Sequence, residues 1–204
     1  MAAGAAPAEL WLYALQRLTA AVAHELRNPL NVVSLNLEVL RGRVSRAHSE
    51  VGSLTGFAEA AAAELGVAIR LTDALLAVAR PLPAPVEVGG ALVPIATLAR
   101  AVAVAHGGSL AVTLPDGMPP KVASGADAVR GALAAVLFEA VQGGETVRCE
   151  AVYEPDAVVV EVAGENEFVL PDGLAASIEA CGIAVQAVPH GIALRMPRHD
   201  AATR

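Results

Sequence analysis

The chain has 204 residues, of which 55% are hydrophobic and only 3% aromatic, and its formal net charge is −7. This acidic balance, without a basic arm or a basic and aromatic strip, argues against nucleic acid as a partner. The most apolar stretch, residues 89–105, is interrupted by Pro94 and Arg100, so no membrane span is expected. The N-terminus lacks the pattern of a signal peptide, and Cys149 and Cys181 lack metal or redox spacing. We therefore expect a cytoplasmic protein.

Two long amphipathic helices are predicted in the N-terminal part of the chain. Apolar residues recur at steps of three or four along residues 15–44, and again along residues 51–78. The first helix is expected to extend to about Arg46, and Ser49 in the short link is a candidate cap for the second. Such helices form an antiparallel hairpin, and one hairpin alone buries its apolar stripes poorly. We therefore predict a homodimer in which two hairpins form a four-helix bundle.

His24 departs from the apolar pattern of the first helix. It lies two residues from both Val22 and Leu26, which belong to the apolar stripe. Two residues correspond to about 200° of helical rotation, so His24 is predicted to point to solvent. A titratable imidazole on a rigid, exposed helix surface is suited to act as a nucleophile or as an acid and base.

The proline-rich residues 81–85 predict a stiff linker, followed by strands and helices. The pattern predicts an α/β sandwich with a mixed sheet and helices over one face, so that the whole chain is α+β. The expected strands are Val86–Val88, Ser109–Leu114, Thr146–Tyr153, Ala157–Ala163, Ala184–Val188 and Ile192–Met196, and the expected helices are Ala91–Ala105, Ala126–Gln142 and Leu174–Cys181.

The segment His24-Glu25-Leu26-Arg27-Asn28-Pro29-Leu30 resembles the H-box of two-component sensor histidine kinases. Residues 71–80 are similar to the second helix of their phosphotransfer domain, and the order of elements in the second half resembles their ATP-binding domain. The resemblance implies a dimerisation and histidine phosphotransfer hairpin over residues 1–82. It implies an ATPase-like α/β sandwich over residues 83–204.

The second half departs from that family at its nucleotide-binding positions. Glu139 stands where the family's helix offers a metal-binding asparagine, and a carboxylate there repels phosphate unless a metal intervenes. Residues 163–167 lack the aspartate that reads adenine, and no glycine-rich lid follows. We therefore expect a degenerate domain that has lost ATP binding and needs no cofactor or metal of its own.

A phosphohistidine hairpin beside such a domain resembles the dimeric histidine phosphotransferases, the ChpT type in particular. These carry a phosphoryl group between aspartates of response regulator receiver domains, and Mg²⁺ is expected only in the receiver. The resemblance implies that His24 is the phospho-acceptor. On this reading Glu25 accepts the imidazole N–H, Asn28 orients water or a phosphoryl oxygen, and Pro29 loosens the helix by removing an amide donor.

Five further residues near His24 form a candidate surface for receiver binding. Some of these residues have a second interpretation. Glu25 and Asn28 are equally interpreted as surface polar groups, and Val32 and Leu35 as dimer contacts. Arg27 is interpreted as a surface charge rather than a phosphate clamp. Two alternatives concern the function: a sensor histidine kinase with an atypical nucleotide site, or a pseudokinase or phosphatase module that binds a response regulator. The five candidate docking residues are Arg27, Asn31, Val32, Leu35 and Asn36.

Overall fold

The computed structural model describes residues 5–44 and 51–199, which form a helical hairpin followed by a mixed α/β unit. This confirms the predicted α+β fold class. The helices are α1 (Ala5–Val44), α2 (Val51–Ala79), α3 (Val88–Ala105), α4 (Ala126–Val141) and α5 (Leu174–Glu179). The strands are β1 (Val86–Glu87), β2 (Ser109–Thr113), β3 (Lys121–Val122), β4 (Thr146–Tyr153), β5 (Ala157–Ala163), β6 (Ala184–Val188) and β7 (Gly191–Pro197).

The N-terminal half of α1 is buried along one face, and the corresponding face of the C-terminal half is not. Leu10, Ala14, Leu18 and Val22 follow one another at steps of four and are all buried. Beyond them the apolar stripe emerges from the core, and Leu37 is 54% exposed. The predicted end at Arg46, the link 47–49 and the cap at Ser49 lie outside the described residues.

Five strands form a mixed sheet in the order β2-β4-β5-β7-β6. The β2–β4 pair is parallel, with α4 in the crossover, and the other pairs are antiparallel. Burial alternates along β4, where Val147, Cys149 and Ala151 face the core. Helices α3, α4 and α5 pack on this sheet, as the sequence pattern predicted.

The structure corrects the prediction around the linker. The expected strand Val86–Val88 ends at Glu87, and α3 begins at Val88, three residues before the predicted helix start. The strand β3 was not predicted; its Val122 pairs with Val86, and both are buried. Strands of two residues carry no periodicity, so the sequence offers no signal for them.

The core continues from the hairpin into the second unit. Helix α4 is buried over most of its length between α1, α3 and the sheet. Its Gly131 lies against α1 so closely that a Cβ there would be 2.8 Å from Leu10 Cγ and 3.1 Å from the Trp11 amide nitrogen. The domain boundary near residue 82 stays a prediction, and apolar packing crosses it.

The buried side chain of Arg130 connects three elements. Its Nη1 donates hydrogen bonds to the carbonyls of Val78 and Arg80 at 2.9 and 2.8 Å, where α2 ends. Its Nη2 donates to Asp127 at 2.6 Å, and the guanidinium lies 4.7 Å from the centre of the Trp11 ring. A cation at a helix C-terminus satisfies carbonyls that lack helical partners. Arg130 therefore fixes the end of α2 against α4.

Among the described helices, α3 alone is long and apolar enough to cross a membrane by length and composition. Half of it is buried inside the protein. Leu92, Ile95 and Leu98 are wholly buried in the core shared with α4. Packing inside the protein therefore accounts for the apolar character of this helix.

Candidate functional site around His24

His24 lies on α1, two residues after the buried Val22. Val22 is inaccessible and Leu26 is half-buried, whereas His24 is exposed, as the helical spacing predicts. Among the residues that the structure describes, none forms a hydrogen bond or an ion pair with the His24 ring. The ring is therefore accessible to another molecule.

The polar neighbours of His24 contact each other rather than the imidazole. The Nδ2 of Asn28 donates to Glu25 Oε2 at 3.5 Å, a long hydrogen bond between residues one turn apart. The expected bond between Glu25 and His24 is not formed in this structure, because adjacent helix residues diverge by about 100°. Glu25 reaches the ring only if its side chain rotates away from Asn28.

Pro29 is buried, and α1 continues through it to Val44. Proline has no N–H, so the carbonyl of Glu25 lacks its usual helical donor one turn below His24. The structure thus keeps the helix intact while leaving one backbone bond of the H-box segment unmade.

The predicted docking residues differ in their environment. Arg27, Asn31, Val32 and Leu35 are exposed, and Leu35 is 61% exposed. Asn36 is half-buried, and its side chain donates to the carbonyl of Val32 at 2.9 Å, so its amide is already engaged. Of the five, only Val32 lines a cavity together with Glu25 and Asn28.

That cavity, of about 420 Å³, lies between α1, α2 and α3. Its lining includes four polar residues that the sequence analysis did not place at the site: Glu64 and Arg70 on α2, and Thr97 and Arg100 on α3. In the sequence, Arg100 is distinguished only as a charge within an apolar run. Their proximity to the H-box follows from the packing of α3 on the hairpin, which has no signature in the sequence.

Glu139, at the position where the resemblance leads us to expect a metal-binding asparagine, is paired with another side chain of the protein. Glu139 of α4 is mostly buried and forms an ion pair with Arg17 of α1 at 2.5 Å. The same guanidinium donates to the hydroxyl of Tyr13 at 2.9 Å. Helix α1 therefore lies beside the face of α4 from which this position projects.

Residues 163–167, where the resemblance leads us to expect an adenine-binding motif, are also contacted by another side chain of the protein. The carboxylate of Glu145 accepts hydrogen bonds from the backbone N–H and the side-chain amide of Asn166 at 2.8 and 2.9 Å. A Cβ at Gly164 would lie 2.8 Å from that carboxylate. Over the described ranges, no group of three or more His, Cys, Asp or Glu side chains is placed to hold a metal ion.

No curated protein matches the chain. Among solved structures, a bacterial phosphotransferase is similar over 91% of this chain and 96% of its own, at 14% identity and a TM-score of 0.47. The Acinetobacter baumannii histidine kinase AdeS is similar over 86% of this chain and 98% of its own, at 13% identity and a TM-score of 0.42. Residues 14–82 match the model of the His Kinase A (phospho-acceptor) domain. This match contains His24 and covers most of the hairpin, and it supports a histidine phosphotransfer role in two-component signalling.

Proposed function

We propose that this protein is a cytoplasmic, homodimeric carrier in a phosphorelay, which holds a phosphoryl group on His24 between receiver-domain aspartates and does not bind ATP. One combination of observations carries the proposal. An exposed histidine lies in a hairpin that matches a phospho-acceptor domain, while Glu139 is ion-paired to that same hairpin.

The transfer step needs a neutral imidazole. One ring nitrogen attacks the phosphorus of a receiver's aspartyl phosphate, the new P–N bond forms, and the P–O bond to the aspartate breaks. The aspartate leaves as a carboxylate, and the ring loses the proton on its other nitrogen. Glu25, the next residue along the chain, can accept that proton once its side chain leaves Asn28. A second receiver aspartate then reverses these steps and takes the phosphoryl group.

The receiver supplies the divalent cation in this scheme, and the hairpin supplies alignment. Phosphoryl transfer depends mainly on an in-line approach and on charge stabilisation. A rigid helix that presents one unobstructed imidazole meets the first requirement. Asn28, one turn from His24, is placed to contact a phosphoryl oxygen or a water molecule.

The loss of ATP binding is supported by what fills the family's nucleotide positions. Nucleotide phosphates near Glu139 would have to displace Arg17, the counter-ion of a mostly buried carboxylate. On the other side, Glu145 holds the backbone and side chain of Asn166 where a glycine-rich approach to the nucleotide would be needed.

The decisive experiment compares two donors. The protein is incubated with radiolabelled ATP alone, and separately with receiver domains labelled on aspartate, and the acid-labile label is followed. We expect label on the wild type from a receiver, none from ATP, and none on a His24→Ala variant. Label from ATP would establish the kinase alternative. Loss of receiver label to inorganic phosphate, without any on His24, would establish the binding or phosphatase module.

A further inference from the structure

Arg130 and Glu139 extend from opposite sides of α4 to contact α1. They are nine residues apart, which corresponds to about two and a half helical turns and so to about 180° around the helix axis. Gly131 projects between them and lies directly against α1, where a Cβ would be 3.1 Å from the Trp11 amide nitrogen. Helix α1 is therefore held between two side chains of α4, one on each side of the line of contact.

The two contacts also meet α1 at different positions around its axis. The guanidinium of Arg130 lies 4.7 Å from the centre of the Trp11 ring, and Glu139 pairs with Arg17 at 2.5 Å. Trp11 and Arg17 are six residues apart, which places them about 120° apart around α1. Apolar packing is non-directional. The two polar contacts therefore add a directional constraint on the rotation of α1 about its own axis.

The contact between Glu139 and Arg17 lies on the His24 side of α1. His24 follows Arg17 by seven residues, which is within about 20° of two full turns, so both side chains project from the same side of the helix. A rotation of α1 by about 20° would displace a side-chain atom about 6 Å from the axis by about 2 Å. Phosphoryl transfer needs an in-line approach, and a displacement of about 1 Å can reduce such a rate about a hundredfold.

We infer that Glu139 is a positioning residue for His24, which acts through Arg17 and fixes the rotation of α1. This inference rests on the proposed function. The carboxylate is mostly buried, with 15% of its side chain exposed, and the hydroxyl of Tyr13 accepts a hydrogen bond from the same guanidinium at 2.9 Å. Arg17 is thus held by two partners. Glu139 sets the direction in which the imidazole meets a receiver and takes no part in the bond exchange.

The test compares receiver-driven labelling of His24 with labelling by phosphoramidate, a small donor that can approach the ring from any open side. The receiver is the one, from a panel phosphorylated with acetyl phosphate, that labels the wild type fastest. For Glu139→Ala we expect the ratio of receiver-driven to phosphoramidate-driven rates to fall roughly tenfold, because a docked receiver cannot follow a displaced ring. Glu139→Gln keeps a hydrogen-bond acceptor without the charge and should give an intermediate ratio. A loss of stability alone would leave the ratio unchanged, since both rates are measured on the folded protein.

Two further variants show whether Glu139 acts through Arg17. The double variant Arg17→Ala/Glu139→Ala should fall no further than Glu139→Ala, because the two residues act as one unit. Glu154→Ala is the matched control: Glu154 also pairs with an arginine, Arg195, but lies in the turn between β4 and β5, and its ratio should equal that of the wild type.

Three results would overturn the inference and leave the proposed function standing: an unchanged ratio for Glu139→Ala, a further fall in the double variant, or an equal fall for Glu154→Ala. If Glu139→Ala does not fold, the ratio of Glu139→Gln decides in its place, and an unchanged value overturns the inference. If no phosphorylated receiver labels wild-type His24, the proposed function itself fails.

Discussion

The thiol of Cys149 shows how burial on the sheet changes the acidity of a single group. Burial raises its pKa to about 12, against the opposing effect of the charge on Arg100. In the unfolded chain the thiol titrates near its ordinary value of about 8.5 to 9. Between these values the folded protein keeps a proton that the unfolded chain releases. The corresponding stability is complete below about pH 9 and is lost as pH rises toward 12.

We therefore predict an alkaline loss of stability that depends on Cys149. Across this interval the thiol should lower the free energy of unfolding by up to about 1.4 kcal/mol per pH unit. Urea denaturation at pH 8, 9 and 10 should show a steeper decline for the wild type than for Cys149→Ala. Cys181→Ala serves as the control, because its thiol is only partly buried. Parallel curves for the wild type and Cys149→Ala would contradict the assignment.

At the level of residues, the sequence predicted exposure better than it predicted neighbours. The exposure of His24 follows from its offset to Val22 and Leu26, because helical periodicity is a local property. The position of Arg70 and Arg100 beside Glu25 and Asn28 depends on how α3 packs against the hairpin. The bond from Asn28 to Glu25 depends on side-chain rotamers, and a sequence pattern does not specify them.

At the level of elements, Gly131 marks a close approach between two helices, where α4 meets α1. We predict that Gly131→Ala lowers the free energy of unfolding by roughly 1–3 kcal/mol, because the added methyl group would overlap Leu10 and approach the α1 backbone. Chemical denaturation measures the change. Gly56→Ala in α2 is the matched control; nothing lies within 4 Å of its Cβ position, so helix propensity should leave it neutral or more stable. Equal effects in the two variants would refute this account of the packing.

The pairing of α1 with α4 leads to a prediction about nucleotide binding. Glu139→Asn restores the residue type that histidine kinases carry at this position, but Arg17 and Tyr13 remain beside it. We expect calorimetry to detect no micromolar ATP binding by the variant, and circular dichroism to confirm that it is folded. Binding of ATP by Glu139→Asn would mean that one side chain alone blocks the site.

At the level of elements, long periodic segments were predicted well and short ones were not. The strands β4, β5 and β6 have the predicted bounds, because each is a run of five or more residues that contains valine and lies between turn residues. The strands β1 and β3 exist because Val86 and Val122 meet in the core, a contact between residues distant in the chain. Val88, predicted as the last residue of a strand, is instead the first residue of α3, and this boundary likewise depends on contacts between residues distant in the chain.

At the scale of the whole molecule, the part of the hairpin that contains the C-terminal half of α1 leaves apolar residues exposed within one chain. Leu37 on α1 and Leu65 on α2 are 54% and 45% exposed. The sequence predicts that a second copy covers this surface. Sedimentation at micromolar concentration should give twice the chain mass of 20.6 kDa for the wild type, and a single-chain mass for the double variant Leu37→Glu/Leu65→Glu.

Val152→Glu is the control for that prediction, because Val152 is 44% exposed but lies on β4. Its mass should equal that of the wild type. A wild type that sediments as one chain, or a double variant that keeps the doubled mass, would rule out the bundle as the dimer interface.

The hydrogen bonds of Arg130 have a kinetic consequence. This side chain joins the last turn of α2 to α4, and moving the sheet unit away from the hairpin would break its hydrogen bonds to the carbonyls of Val78 and Arg80. In a histidine kinase, the ATP-binding domain moves relative to the helical hairpin and so brings its nucleotide to the histidine. The bonds of Arg130 oppose such a movement here, so under the proposed function turnover would depend on encounters with receivers, and therefore on their concentration and on ionic strength.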